Sequence, residues 1–226
     1  QEARMYILVA ALGTCSAHCL LLALRTYIEP GNHRRRRIWL WVGYILSTAL
    51  AVNAHYFALF LIPFHNLFVL YYLVRKHAGR PLIWQWVLCQ AGVGLLSLIG
   101  LAGVFSDESS YWWGLLDALH GAPRLGDLLR LAFHFSLGTA VESSALLWPG
   151  LLVFGACAVW SAIQVRDARL KLRIDEGTLF VLLYLLVPLG TIFVYSQVRS
   201  TWVLRYLFPF MPAYCILLAR GLLNLP

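Results

Sequence analysis

The chain has 226 residues, 61% of them hydrophobic and 12% charged, with a mean hydropathy of +0.73 and a formal net charge of +8. A soluble domain is about half apolar and about a quarter charged, so these values exclude an ordinary soluble protein and place the chain among membrane proteins. The positive balance suggests nucleic acid only until the positions of the cations are considered.

The chain opens on "QEARMY", with no Met start, no basic n-region and no cleavage site, and it closes on "RGLLNLP" directly after an apolar run. We read it as a piece of a longer membrane protein. Seven apolar stretches follow one another at residues 5–24, 38–53, 56–74, 82–105, 145–165, 178–197 and 206–224. A spanning helix needs about 20 residues, within a range of about 17–25. Six stretches meet this, and 38–53 meets it when residues such as Arg37 snorkel. Backbone groups in lipid must be satisfied within the segment, so helices are predicted. The alternating pattern of outer-membrane barrels is absent.

The expected fold is therefore all-α: a polytopic transmembrane helical bundle of about seven spans. Residues 1–226 form a single membrane-embedded domain, and residues 106–144 form a long extracytoplasmic loop. Within that loop, "LGDLLRLAFHF" has apolar residues at helical spacing and is expected to lie in the interface as an amphipathic helix. No repeat of fixed period and no low-complexity tract interrupts the pattern.

Threading seven spans sorts the loops onto two sides. One side carries twelve cations: Arg25, Arg34 to Arg37, Arg75, Lys76, Arg80, Arg166, Arg169, Lys171 and Arg173. The other carries five: Arg4, Arg124, Arg130, Arg199 and Arg205. The positive-inside rule makes the twelve-cation side cytoplasmic. "RRRR" then reads as a topology signal beside anionic lipid heads, and nucleic acid is excluded as a partner.

This threading gathers Glu2, Arg4, His55, Tyr56, Asp107, Glu108, Arg199, Arg205 and Tyr206 at the outer edge. The polar candidates at mid-span are few: His18, His65 and Gln90. A pump or ion carrier places ionisable residues at mid-span, so a site at the surface is the better expectation. Each residue also has a structural reading. Arg4 and Arg205 can snorkel to lipid phosphates. His55 can cap the turn between two helices, and Tyr56 and Tyr206 can be interface anchors. His65, beside Asn66, can make an interhelical hydrogen bond. Cys15, Cys19, Cys89, Cys157 and Cys215 all fall in apolar segments and read as small hydrophobes. Cys15, His18 and Cys19 lack the further ligand of a tetrahedral metal set.

Three blocks carry a resemblance. "QEARMYILVAALGTCSAHCLLLALR" opens a helix, "LSTALAVNAHYFALFLIPFHNLFVLYYLVR" holds a helix–HYF–helix block with Asn-Ala before His55, and "LRYLFPFMPAYCILLARGL" starts a late helix on Arg-Tyr. Together they resemble bacterial GT-C-type membrane glycosyltransferases, relatives of dolichyl-phosphate-mannose–protein mannosyltransferases and of the lipid A aminoarabinose transferase. Asn-Ala stands where that family more commonly has Tyr-Thr.

The resemblance implies transfer of one sugar from a polyprenyl-phosphate donor to a lipid, glycan or protein acceptor. It places the site on the non-cytoplasmic face of a multi-pass protein of the bacterial inner membrane. Arg4 and Arg205 would bind the donor phosphate, Glu2 or His55 would serve as base, and Tyr56 and Tyr206 would touch substrate. The resemblance fixes no cofactor, and a divalent metal, with His55 as a candidate ligand, stays open. The family's acidic residue after the first helix would precede Gln1, so the chain by itself is expected to be inactive. The runner-up is a multispan transporter or flippase for a lipid-linked glycan, and a third reading is a structural membrane subunit.

Overall fold

The computed structural model describes residues 2–31, 33–76, 79–104, 122–137, 149, 152, 155–156, 160, 163–166, 169–172, 175–199 and 201–223. Side chains of Glu2, Ala3, Arg4 and of residues 99–101, 103–104, 137, 163–166 and 169–172 are outside the description. The chain divides into two compact units, Gln1–Leu119 and His120–Pro226.

The first unit contains α1 (Glu2–Arg25), α2 (Arg34–Ala54), a 3-10 turn (Tyr56–Phe60), α3 (Leu61–Arg75) and α4 (Gly79–Val104). Gly79 opens α4 at φ 76°, a left-handed backbone that an L side chain rarely adopts. Helix α1 packs along α2, with Ser16 and Thr48 hydroxyls 2.6 Å apart between them. The approach is close: a Cβ at Gly43 would stand 3.0 Å from Cys19 Sγ. Asn53 ties α2 to α4 by donating to the Leu96 carbonyl at 2.9 Å, and Trp86 ties α4 to α3 by donating to Asn66 Oδ1 at 2.9 Å. Leu20, Leu24, Tyr44, Phe57, Leu61, Phe64, Phe68 and Tyr72 fill the interior. Ile7, Trp39, Trp84, Leu88 and Leu95 remain 65–70% exposed. So many large apolar side chains facing outward would be an aggregation surface in water and are ordinary against lipid.

The second unit contains α5 (Leu125–Leu137), a hairpin of β1 (Ile163–Arg166) and β2 (Arg169–Leu172), α6 (Glu176–Tyr195), α7 (Leu204–Leu207), a 3-10 turn (Phe208–Phe210) and α8 (Met211–Leu223). Asp175 caps α6 by accepting from the Thr178 N–H at 3.0 Å, and it also pairs with Arg220 of α8 at 3.0 Å. The start of α6 thus meets the end of α8, so the two run antiparallel. At the other end, Ser196 and Thr201 hydroxyls close the turn at 2.9 Å.

Among the described residues, five helical segments are long and apolar enough to cross a bilayer: Met5–Arg25, Tyr56–Arg75, Gly79–Leu98, Glu176–Tyr195 and Leu204–Leu223. They match five of the seven predicted stretches. The stretch 38–53 is also helical, within the 21 residues of α2, but four arginines at its start and polar Ser47, Thr48 and Asn53 keep it outside that group. The stretch 145–165 falls mostly outside the described residues. Its last three residues are strand rather than helix, because "IQVR" and "RLKL" alternate apolar and polar and pair antiparallel from Ile163↔Leu172 to Arg166↔Arg169. Of the predicted loop 106–144, residues 122–137 are described; Asp107, Glu108 and "YWW" at 111–113 lie outside.

The predicted amphipathic helix is present as α5. Leu131 and Phe135, one turn apart on one face, are buried, as is Phe133 on the opposite side. Phe135 meets Phe208 and Tyr214 at ring centroids of 6.3 and 5.8 Å, and the Ser136 and Tyr214 hydroxyls are 2.5 Å apart. Leu125 and Leu129 face outward.

Candidate functional site

His55 terminates α2. Its backbone turns extended at φ −162° and ψ 124°, while its N–H still donates to the Ala51 carbonyl at 2.9 Å. The first N–H groups of the following turn have no helical partner of their own. The imidazole supplies one: the Phe57 N–H donates to His55 Nδ1 at 3.2 Å. The structural reading of His55 as a cap is therefore realised in the fold.

The ring is also packed. His55 stacks on Tyr56 at 4.9 Å and 21°, and Tyr6 of α1 approaches it at 5.4 Å and 51°. The start of α1 and the end of α2 thus meet at one end of the first unit, with half-buried His55 and Tyr56 at its edge. Glu2 and Arg4 belong to the first turns of α1, one turn and half a turn before Tyr6; their side chains lie outside the description.

The opposite end of this unit has different chemistry. Arg37 lies 4.5 Å over the Tyr27 ring, and Arg36 pairs with Glu29 at 3.4 Å. Gln85 accepts from both the Tyr27 hydroxyl and Trp41 Nε1. Burial raises the Tyr27 hydroxyl above the ordinary phenol value, while Trp41 and Arg37 pull it back. The charge sorting predicted for the two ends of α1 and α2 holds within this unit.

Arg205 and Tyr206 belong to the second unit and form a group of their own. Arg205 is exposed in the first turn of α7, with its guanidinium 5.4 Å from the Tyr206 ring centroid. This end of the unit also receives α5, and Gln197 donates to the Pro123 carbonyl at 3.1 Å. Residues 122–137 and Arg205 therefore share one end, and Asp175 with Arg220 mark the other.

Sequence reasoning missed Tyr6. The available signal was its i+4 spacing from Glu2, which puts both on one face of α1. It also missed the bond from Asn53 to Leu96, which has no signature along the chain. Among the described residues no group of three His, Cys, Asp or Glu stands close enough to hold a metal ion. No protein-family model matches the chain, and no curated protein or solved structure matches it at a significant level.

Proposed function

We propose that the chain is part of a glycosyltransferase that moves one sugar from a polyprenyl-phosphate donor to an envelope lipid, glycan or protein acceptor. The reading includes the finer topology: about seven spans, residues 106–144 on the non-cytoplasmic side, and a place in the bacterial inner membrane. One observation carries it. Tyr6 of α1 packs on His55, so the helix start that bears Glu2 and Arg4 and the turn that bears His55 and Tyr56 occupy one end of a unit. A transferase needs this combination, because a leaving polyprenyl phosphate gains negative charge and an arginine fork can take it. In the first unit Arg4 is assigned to the donor phosphate, Glu2 or His55 to the base and Tyr56 to substrate contact; in the second, Arg205 is the alternative phosphate ligand and Tyr206 the alternative substrate contact.

The test uses the full-length protein with radiolabelled polyprenyl-phosphate sugars. Arg205→Ala and His55→Ala are each expected to lower transfer by about a hundredfold to a thousandfold, the range for losing one donor to a developing anion. Undiminished transfer by both variants rejects the assignment.

A specific observation favours the transporter reading as the second. Among the described residues, His65 Nε2 and Ser97 Oγ are buried inside the first unit with no hydrogen-bond partner. Polar interiors of this kind line substrate paths in transporters.

A further inference from the structure

We propose that the outer side of the α2–α4 pair, at the end where both helices begin, binds the headgroup of an anionic phospholipid through Arg35 and Arg80, with Trp39 and Trp84 beneath them against the upper acyl chains. The inference uses the helices of the first unit alone and is independent of the transferase reading.

Helices α2 and α4 lie side by side, pointing the same way and in register. Trp41 Nε1 donates to Gln85 Oε1 at 3.1 Å, and the Asn53 amide reaches the Leu96 carbonyl at 2.9 Å, twelve residues further along α2 and eleven along α4. That register sets Arg35 level with Arg80 and Trp39 level with Trp84. Each tryptophan follows its arginine by four residues, so each pair shares one helix face, with the arginine one turn nearer the helix start. The two faces lie on the same side. Helix α3 meets Tyr44 of α2 through His65 and Trp86 of α4 through Asn66. Trp84 is two residues from Trp86, and Trp39 is five from Tyr44, which at about 100° per residue turns both away from α3. Trp39 and Trp84 are 65% and 69% exposed, and Arg35 and Arg80 are exposed with them.

An Arg–Trp pair repeated at one depth matches the layers of a membrane surface. Tryptophan settles at headgroup level, and an arginine one turn beyond it, about 5.4 Å, enters the phosphate layer. Packed helices are about 8–10 Å apart, so two guanidinium forks can serve one phosphate-bearing headgroup. The other arginines opening α2 have structural work: Arg36 pairs with Glu29 and Arg37 covers Tyr27, which holds the turn after α1. Glu29 is the only acid among the described residues at this end. Among the described residues no carboxylate pairs with Arg35, Arg80 or Arg75. Arg75, exposed at the end of α3, lies off the proposed surface and is a control of equal charge.

The experiment titrates phosphatidylglycerol or phosphatidylcholine into the full-length protein in neutral detergent and reads bound lipid by native mass spectrometry. Salt is held near 0.15 M, where charges are screened beyond about 8 Å. Phosphatidylglycerol should bind more tightly than phosphatidylcholine, and glycerol 1-phosphate at the same concentration should not displace it. A basic side chain beside an anionic head is worth about fivefold in affinity. Arg35→Gln and Arg80→Gln should each lose about that factor for phosphatidylglycerol, and the double variant about twenty-five-fold. Arg75→Gln should stay within about twofold. Equal affinity of the native protein for the two lipids overturns the proposal without recourse to any variant. Displacement by glycerol 1-phosphate overturns the lipid as occupant. An unchanged double variant removes the two arginines from the site, and a loss in Arg75→Gln equal to that in Arg35→Gln replaces the site by diffuse attraction.

Discussion

Replacing His65 with leucine sets the two functional readings against each other. His65 lies wholly inside the first unit on α3, with Nδ1 3.3 Å from the Tyr44 hydroxyl and Nε2 without a hydrogen-bond partner among the described residues. An interhelical hydrogen bond inside a membrane contributes about 0.6 kcal/mol on average. A buried polar atom left unpaired costs about 1–3 kcal/mol. Leucine removes both, and reshaping the pocket costs up to about 1.5 kcal/mol. The net falls between roughly a 1 kcal/mol loss and a 2 kcal/mol gain, a change in Tm of only a few degrees at about 2–4 °C per kcal/mol. Alanine, which leaves a cavity, should instead lose about 2–5 kcal/mol. The assay is thermal unfolding in nanodiscs, followed by tryptophan fluorescence, alongside transfer from a polyprenyl-phosphate sugar. The transferase reading expects H65L to remain stable and active. A loss above about 3 kcal/mol would mean that Nε2 has a partner such as bound water, at a cost no bare unpaired atom explains. If stability holds and substrate movement stops, the transferase reading of this unit is refuted in favour of a polar path.

Two further predictions concern packing and the ends of helices. Gly43→Val overfills the contact with Cys19 Sγ and should destabilise by about 1–3 kcal/mol, with Cys19→Ala recovering at least half in the double variant; strictly additive losses in the unfolding cycle would contradict the close approach of α1 to α2. At Asp175, partial burial raises the carboxyl, but the Thr178 hydroxyl and N–H and the Arg220 guanidinium outweigh it and hold the group below its ordinary value of 3.8. Because the folded value is depressed, the stabilisation is present above pH 3.8 and is lost as pH falls through the lower folded value. Solvent screening limits the Arg220 part to about 1 kcal/mol or less. Asp175→Asn should therefore flatten the acid limb of the stability curve, and an unchanged limb would show that the cap and ion pair contribute nothing.

What was legible in the sequence was whatever the bilayer forces on it. Runs of about 20 apolar residues must be helical, and "RRRR" with Arg25 marks one end of α1 and α2; both readings match the described residues. The residues 163–165 were misread because a length criterion swallowed a short alternating segment, whose period of two identifies β1. The interior was legible only as composition. That His65 and Tyr44 face each other, that Asn53 reaches Leu96 and that Tyr6 closes on His55 depend on how helices rotate against one another, which spacing along one chain does not encode. The apolar face of α5 was foreseen, but its cover was assigned to lipid where Phe208 and Tyr214 take part.

The polar interruption at Asn53 and His55 brings structure and function to one place. A helix that ends and reverses within a few residues must satisfy backbone groups that regular structure leaves unpaired. His55 answers by taking the Phe57 N–H, while Asn53 uses its own amide to tie α2 to α4 through the Leu96 carbonyl. These roles alone account for two polar side chains in an apolar run, so their polarity by itself says nothing about catalysis. The described contacts give His55 a capping role: the bond from the Phe57 N–H and the stacked Tyr56 ring hold the imidazole at the start of the 3-10 turn.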